Sequence, residues 1–173
     1  MFFIRKKNRC VQGKAIGWDL PTCKKLFKIE VLSESTQMNT VNSVNIWDEK
    51  GLISVGSRDG VCRFFDLREP IKPIYSLQAH AKGINKVDFS TIDQTFYTSG
   101  RDNRINIWDI RQLKESKKSS YNHYIDGSFT PKPLYELNRH MCESHHIQSG
   151  YMLNSRYIIT GSEENLVRII FGI

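Results

Sequence analysis

The chain has 173 residues, of which 39% are hydrophobic and 25% charged, the composition of an ordinary soluble globular protein. No apolar run is long enough to cross a bilayer, which excludes a membrane span. Its four cysteines are too few for a disulfide scaffold and contain no Cys-x-x-Cys pair, so reduced thiols in the cytoplasm and/or nucleus are expected: Cys10, Cys23, Cys62 and Cys142.

The charge is basic, with 25 Lys+Arg against 18 Asp+Glu and a formal net charge of +7. This balance favours acidic partners, which include nucleic acid, acidic protein surfaces and anionic lipid. The densest runs, Arg5–Lys7 and Lys114–Lys118, do not alternate with aromatic residues as a nucleic-acid stacking platform would. We therefore favour a solvated basic face, and direct nucleic-acid binding stays open as an alternative.

The predicted elements are strands with short polar turns, and no stretch favours a helix. The N-terminal Met1–Ile4 is followed at once by basic residues, which is not the order of a signal peptide. A tight hairpin turn is predicted at Arg58-Asp59-Gly60, because Asp and Gly tolerate the required backbone angles. The strands around it are predicted at 41–46, 52–55, 61–66 and 74–77, and the same order recurs from Ile84 to Leu137.

An internal repeat is the main signal in the sequence. Residues 52–68 and 95–111 share an apolar segment, small residues, Arg-Asp, an alternating segment and aromatic-Asp-apolar-Arg, and residues 157–171 repeat this more weakly. A partial copy occupies residues 15–20. The closing positions Asp19, Asp66 and Asp109 are 47 and 43 positions apart. After Asp109 the spacing lengthens because of an insert at 112–130, and a period near about 40–45 residues with four strands is typical of a propeller blade.

These residues resemble the WD-repeat family, whose signature joins a His, a Ser/Thr, a turn Asp and a closing Trp-Asp. The unit that fits best has His80, Thr98, Asp102 and Trp108-Asp109. The resemblance implies that the first four side chains form a buried structural network, and such a network is stable only when every member is paired. Other units depart from the pattern at Gln37, Val55, Phe65, Glu164, Ile170 and Phe171, and Trp47-Asp48 aligns with a first strand rather than a closing pair.

The predicted fold is therefore all-β, a partial WD-repeat β-propeller of about three to four blades of four-stranded antiparallel sheets. We predict a basic segment at 1–14 and a propeller fragment at 15–173. The fragment divides into a partial blade 15–36, a blade 37–79, a blade 80–139 that contains the insert, and an incomplete blade 140–173. Since closed propellers have about four to eight blades, we expect a truncated sequence or a ring completed by another copy or chain, and we favour truncation.

Two neighbouring units end in the same motif, Phe65-Asp66-Leu67-Arg68 and Trp108-Asp109-Ile110-Arg111. This double motif resembles the WD-repeat substrate receptors of cullin-4 RING ubiquitin ligases. That resemblance implies that Arg68 and Arg111 dock an adaptor protein, with Asp66 and Asp109 as part of the same surface. Phe65 in place of Trp departs from the motif, and many WD-repeat proteins with other duties carry Asp-x-Arg.

The function predicted from these residues is a non-catalytic protein-interaction scaffold. A receptor or adaptor of a cullin-RING ligase and a scaffold of another pathway both fit, and a basic scaffold in RNA processing or ribosome assembly is the alternative. No catalytic residues, cofactor, small-molecule substrate or membrane partner are predicted. The metal-capable residues His140, Cys142, His145 and His146 are interpreted as ordinary turn and strand residues rather than a zinc site. The insert is either a binding loop or disordered.

Overall fold

The computed structural model describes residues 2–4, 13–31, 39–113, 131–138, 141–143 and 145–171. In these parts the chain forms fourteen strands, which assemble into four antiparallel sheets in chain order. The all-β prediction of stacked blades is confirmed. Gln37, His140, the basic run Arg5–Lys7 and most of the insert lie outside the described residues.

The first sheet has three strands among the described residues, β1 (Phe2–Ile4), β2 (Lys14–Asp19) and β3 (Lys25–Glu30), in the order β1-β2-β3. Phe2 is paired with Asp19 and Ile4 with Gly17. The first sheet thus begins inside the segment 1–14 that the sequence marks as basic.

The second sheet contains β4 (Val41–Trp47), β5 (Leu52–Ser57), β6 (Val61–Asp66) and β7 (Tyr75–Gln78), in that order. Trp47 ends the first strand and Asp48–Lys50 form a single 3-10 turn after it, as the alignment of Trp47-Asp48 predicts. The second hairpin turns at Gly60, whose φ of +80° lies in the left-handed region where a side chain is disfavoured.

The third sheet repeats this order with β8 (Ile84–Phe89), β9 (Thr95–Gly100), β10 (Ile105–Asp109) and β11 (Tyr135–Leu137). The fourth sheet shows three strands among the described residues, β12 (Ser149–Met152), β13 (Tyr157–Gly161) and β14 (Val167–Phe171). Every pairing within the four sheets is antiparallel, and strands next to each other in the chain pair with each other, which is the topology of a propeller blade. The connection from β10 to β11 is long because it contains the insert.

Apolar side chains fill the spaces between successive sheets. Ala15 and Ile29 of the first sheet meet Val55 and Phe65 of the second in one buried cluster. A larger cluster joins the second sheet to the third, and a third cluster joins the third sheet to the fourth. Because successive residues of a strand point to opposite faces, Phe64 and Phe65 serve two different interfaces. The sheets therefore stack one on the next along the chain.

The stacking gives the assembly two ends that carry different residues. The closing rim, as we name it, comprises Asp66–Arg68 and Asp109–Arg111, where the third strand of each blade ends. The hairpin rim comprises residues 58–60, 79–83 and 101–103, at the opposite end of the same strands.

Candidate protein-interaction rim and the networks behind it

The His80 side chain lies at the centre of a hydrogen-bond network in the third blade. Its Nδ1 is 2.8 Å from Asp102 Oδ1, and its Nε2 is 2.8 Å from Thr98 Oγ1. The Trp108 indole N–H donates to the same Thr98 oxygen at 3.0 Å. The structure therefore brings together the four residues that the resemblance named, each from a different segment of the blade.

The donors and acceptors of this network form a single chain. Trp108 can only donate and the Asp102 carboxylate can only accept, so the Thr98 hydroxyl donates to His80 Nε2 and His80 Nδ1–H donates to Asp102. Asp102 also accepts the Ala81 backbone N–H at 3.0 Å. Burial raises the pKa of Asp102, but the hydrogen bonds from His80 and Ala81 outweigh this and lower it overall.

Gly100 is required beside this network for reasons of space. A Cβ at Gly100 would lie 2.3 Å from His80 Nδ1 and 2.6 Å from Asp102 Oδ1, both far inside van der Waals contact. Since both atoms are held by their own hydrogen bonds, they cannot move aside cheaply. This glycine therefore keeps the His80–Asp102 pair in register.

The second blade replaces the network with different chemistry. Val55 stands where the third blade has Thr98, and Phe65 stands where it has Trp108, so both the hydroxyl and the indole N–H are absent together. Replacing both partners of a buried hydrogen bond leaves neither unsatisfied. Val55 and Phe65 are therefore compatible with each other, because together they leave no buried donor or acceptor of this pair without a partner.

In the second blade the turn carboxylate, Asp59, is paired with a cation, Arg63. Arg63 donates to Asp59 Oδ2 at 2.7 Å and to Ser57 Oγ at 2.8 Å, and the Ser57 hydroxyl lies 2.7 Å from Asp59 Oδ1. Burial raises the pKa of Asp59, yet the hydrogen bonds from Arg63, Ser57 and the Val61 N–H lower it overall. Arg63 thus binds the turn carboxylate of the second blade, as His80 binds the corresponding carboxylate of the third blade.

The fourth blade, like the second, pairs its turn carboxylate with an arginine. Glu164 occupies the turn-acid position, and Arg168 donates to its Oε2 at 2.6 Å. The Ser162 hydroxyl oxygen accepts the backbone N–H of Met141 at 3.2 Å. The pattern Ser-x-acid-x-x-x-Arg recurs in the sequence at 57–63 and 162–168, and this recurrence is the signal by which the two ion pairs could have been predicted.

At the closing rim, both blades fold the same corner. Asp66 Oδ1 accepts the Arg68 backbone N–H at 2.8 Å, and Asp109 Oδ1 accepts the Arg111 backbone N–H at 2.9 Å. An Asp that caps its own turn two residues on is a local and stable arrangement. The two aspartates therefore fix the path of the chain on which the two arginines sit.

The two arginine side chains differ in their partners. Arg111 donates from Nε to both Asp109 oxygens, at 3.0 and 2.9 Å, and from Nη2 to Oδ2 at 2.6 Å. These hydrogen bonds lower the pKa of Asp109, although the Arg111 side chain remains 71% exposed. Arg68 is exposed, and its guanidinium has no hydrogen bond or ion pair with the described residues. The sequence could not distinguish these two states.

The predicted absence of a zinc site stays a prediction, although the described part of the chain holds no group of three or more metal-capable side chains. Cys142 is buried, accepts a hydrogen bond from Asn85 Nδ2 and lies 3.5 Å from the His145 carbonyl oxygen. Burial raises the pKa of this thiol, which opposes the thiolate form that metals bind. No helix among the described residues is long and apolar enough to span a membrane.

The His80 network predicts the cost of removing one hydroxyl. We expect Thr98→Val to lower the free energy of unfolding by about 1–3 kcal/mol, because Trp108 Nε1–H and His80 Nε2 both lose their buried partner. Urea denaturation followed by tryptophan fluorescence measures this change. Adding Trp108→Phe should restore part of the loss, since it removes the orphaned donor. No recovery in the double variant would contradict the proposed chain of hydrogen bonds.

Asp102 predicts a dependence on pH. Its folded-state pKa lies below the ordinary value of 3.8, so its contribution to stability is complete above that pH and is lost as the pH falls through the folded-state pKa. We expect Asp102→Asn to be less stable than the wild type at neutral pH, with the difference shrinking below about pH 3.8. Thermal melting of both proteins across this range tests the expectation, and a constant difference down to acid pH would refute it.

The Arg63–Asp59 pair predicts a contrast between two arginines. Arg63→Met should lower the free energy of unfolding by about 1–3 kcal/mol, since it leaves a half-buried carboxylate without its cation. The matched control is Arg104→Met, which also removes one positive charge from an ion pair, here with Glu136 and largely exposed. That variant should cost at most about 1 kcal/mol. Equal losses in urea denaturation would count against a structural role for Arg63.

Comparison with known proteins agrees with this geometry. The family described as "WD domain, G-beta repeat" matches residues 71–109, which include Thr98, Asp102 and Trp108-Asp109. The WD repeat-containing protein 91 homolog of Dictyostelium discoideum is 29% identical over 134 residues, or 76% of this chain and 17% of the relative. The LEC14B protein of Lithospermum erythrorhizon is 28% identical over 159 residues, or 78% of this chain and 34% of the relative.

Among solved structures, the chain is similar to a WD40 propeller in the crystal structure of the mitotic checkpoint complex. The TM-score is 0.57 at 19% sequence identity, and the match covers 88% of this chain and 39% of the other. The present chain thus spans only a part of the proteins that it matches. The chain thus contains one repeat that matches the WD domain, is similar to a WD-repeat relative and has the fold of part of a β-propeller.

Proposed function

We propose that this chain is a non-catalytic scaffold that holds a protein partner at the closing rim. The observation that carries the proposal is the repeated corner, in which Asp66 and Asp109 cap identical turns and place Arg68 and Arg111 at the same end of neighbouring blades. Rigid presentation of a side chain lowers the entropic cost of binding. The arrangement suits a protein surface that carries carboxylates, which arginine binds through two parallel hydrogen bonds.

A catalytic role for the His80 network is disfavoured by its burial. The His80 side chain has no exposed surface, and Thr98 is fully buried beside it. A nucleophile must reach its substrate and face a site that stabilises the developing negative charge. The Thr98 hydroxyl instead lies between two fixed partners within the blade, which is a structural arrangement.

The finer form of the proposal is a substrate receptor or adaptor subunit of a cullin-RING ubiquitin ligase. It is supported by the resemblance of the two closing motifs to receptors of the cullin-4 ligases. In this form Arg68 is the first docking residue, because its guanidinium is exposed and without a partner among the described residues. Arg111 is positioned by Asp109 and still presents most of its surface to solvent.

A basic scaffold in RNA processing or ribosome assembly is the second candidate, and the net charge of +7 is the observation that favours it. Such a protein would bind RNA through phosphate contacts, and its affinity would fall as salt is raised. Binding of an oligouridine RNA probe that weakens as salt is raised would support this candidate, and no binding of RNA would count against it.

The docking proposal predicts the effect of removing both arginines. Arg68→Ala with Arg111→Ala should reduce pull-down of the damaged-DNA-binding adaptor of cullin-4 ligases by at least about tenfold, since anchors of this kind carry much of the binding energy. The fold should be intact by circular dichroism, because neither side chain is buried.

The matched control is Lys24→Ala with Lys25→Ala, which removes two exposed cations from the start of β3 and the turn before it. This variant should retain full pull-down. Unchanged capture by the double arginine variant would remove the ubiquitin-ligase form of the proposal. Equal loss in both variants would mean that only total charge matters.

A further inference from the structure

On the hairpin rim, the backbones of three basic residues lie next to one glycine. The Arg101 backbone N–H donates to the Gly83 carbonyl at 2.9 Å. On the other side, a Cβ at Gly83 would lie 3.3 Å from the Arg58 Cα and 3.2 Å from its carbonyl oxygen. Lys82 precedes Gly83 in the same connection. Arg58 and Arg101 therefore flank the connection that holds Lys82.

The connection itself is held rigidly. The backbone N–H groups of Ala79 and His80 both donate to the Gly60 carbonyl, at 3.0 and 3.2 Å. A Cβ at Gly60 would lie 2.1 Å from the His80 carbonyl oxygen, so only glycine permits this approach. The hairpin turns of two blades thus clamp the segment 79–83 between them, and the three cations sit on a fixed surface rather than on a loose loop.

The acidic residues nearby are already occupied. The Asp59 carboxylate is bound by Arg63, and the Asp102 carboxylate is bound by His80 and the Ala81 N–H. Glu143 accepts a hydrogen bond from Asn103 Nδ2 at 3.0 Å. Among the described residues, no carboxylate forms an ion pair with Arg58, Lys82 or Arg101. Asp102 keeps its negative charge because its partners are neutral donors, so the surface holds three cations without an ion pair among the described residues beside one hydrogen-bonded carboxylate.

Arg101 adds an observation of its own. Its Nε is buried and has no hydrogen-bond partner among the described residues, whereas Arg58 and Lys82 are exposed. Because this nitrogen is covered by the protein, a ligand cannot reach it directly, and Arg101 contributes to the surface only through the part of the residue that stays exposed. Arginine presents its donors in a planar fork that matches a carboxylate or a phosphate.

From these observations we infer that Arg58, Lys82 and Arg101 form a binding surface for an acidic protein segment, whose carboxylate or phosphate groups pair with the three cations. The surface lies at the opposite end of the blades from the closing rim, so it is a second site beyond the proposed docking site. A partner bound here and a partner bound at Arg68 and Arg111 would be held by one rigid body without competing.

A protein segment fits this surface better than RNA does. Binding of single-stranded RNA uses aromatic side chains on which successive bases stack. The aromatic residues that are more than a third exposed among the described residues are Trp18 and Tyr135, and they lie in β2 and β11 rather than on the hairpin rim. Three clustered cations match a short run of acidic side chains, which needs no stacking partner.

Fluorescence anisotropy of the full 173-residue chain tests the inference with three labelled probes. The probes are an oligoglutamate peptide, a phosphoserine peptide of matched length and oligouridine RNA. The wild type should bind at least one of the two peptides, with an affinity that falls as salt is raised. Binding of both peptides assigns the surface to carboxylates, and binding of the phosphoserine peptide alone assigns it to phosphorylated segments.

The variant Arg58→Gln, Lys82→Gln, Arg101→Gln should weaken peptide binding by at least about tenfold. Its matched control removes three exposed cations elsewhere, Lys24→Gln, Lys25→Gln and Lys132→Gln, and should bind as the wild type does. Because Arg101 is partly buried, the double variant Arg58→Gln, Lys82→Gln is measured as well. Both of its side chains are exposed, so a loss of affinity there does not reflect unfolding.

Equal affinities in the triple variant and its control would overturn the inference, as would binding of the RNA probe without either peptide. The variant Arg68→Ala, Arg111→Ala should bind the peptides normally. Its result separates this surface from the docking proposal, because either site can fail its own test while the other passes.

Discussion

The structure depends on the burial of aromatic and aliphatic side chains between the facing surfaces of successive sheets. Phe64 of the second sheet meets Phe96 of the third edge to face, with ring centroids 5.1 Å apart, and Tyr97 meets Tyr151 of the fourth sheet in the same way at 4.8 Å. Burying one such side chain contributes about 1.5–3 kcal/mol. A lone blade would leave its two faces in water, so each sheet is stable only against its neighbours. The positions of both rims follow from this stacking.

Within each blade, the hairpin turn before the third strand must be tied to the rest of the sheet, and the chain meets this need in two ways. The third blade uses a chain of hydrogen bonds from Trp108 through Thr98 and His80 to the Asp102 carboxylate. The second and fourth blades use an ion pair, Asp59–Arg63 and Glu164–Arg168. In the second blade the hydroxyl and the indole N–H are absent together, whereas the fourth blade keeps Thr160, whose hydroxyl donates to the Gly161 carbonyl at 3.1 Å. Departure from a family motif is in these blades a change of chemistry rather than a loss of it.

The two rims differ in the way they hold charge. At the closing rim each arginine follows an aspartate that caps its turn, and Arg111 already binds that aspartate through its side chain. At the hairpin rim the carboxylates are bound by internal partners, which leaves Arg58, Lys82 and Arg101 without an ion pair among the described residues. A rigid body with two separate basic surfaces is suited to hold two partners at once. This is the physical basis for proposing that the chain acts as a scaffold.

The sequence by itself determined the order of strands, the position of Trp47-Asp48 at the end of a first strand and the members of the His80 network. These features follow from local rules: alternation along a strand, Asp and Gly in tight turns, and a motif with fixed spacing. Only the tertiary structure decided that the Arg111 guanidinium is bound by Asp109 while the Arg68 guanidinium has no partner among the described residues, and that the backbones of Arg58 and Arg101 both lie next to Gly83. Those facts depend on side-chain rotamers and on which turn of one blade lies against which connection of the next, and neither is encoded in local spacing. Both depend on the stacking of one blade on the next, which brings together residues that are far apart in the sequence.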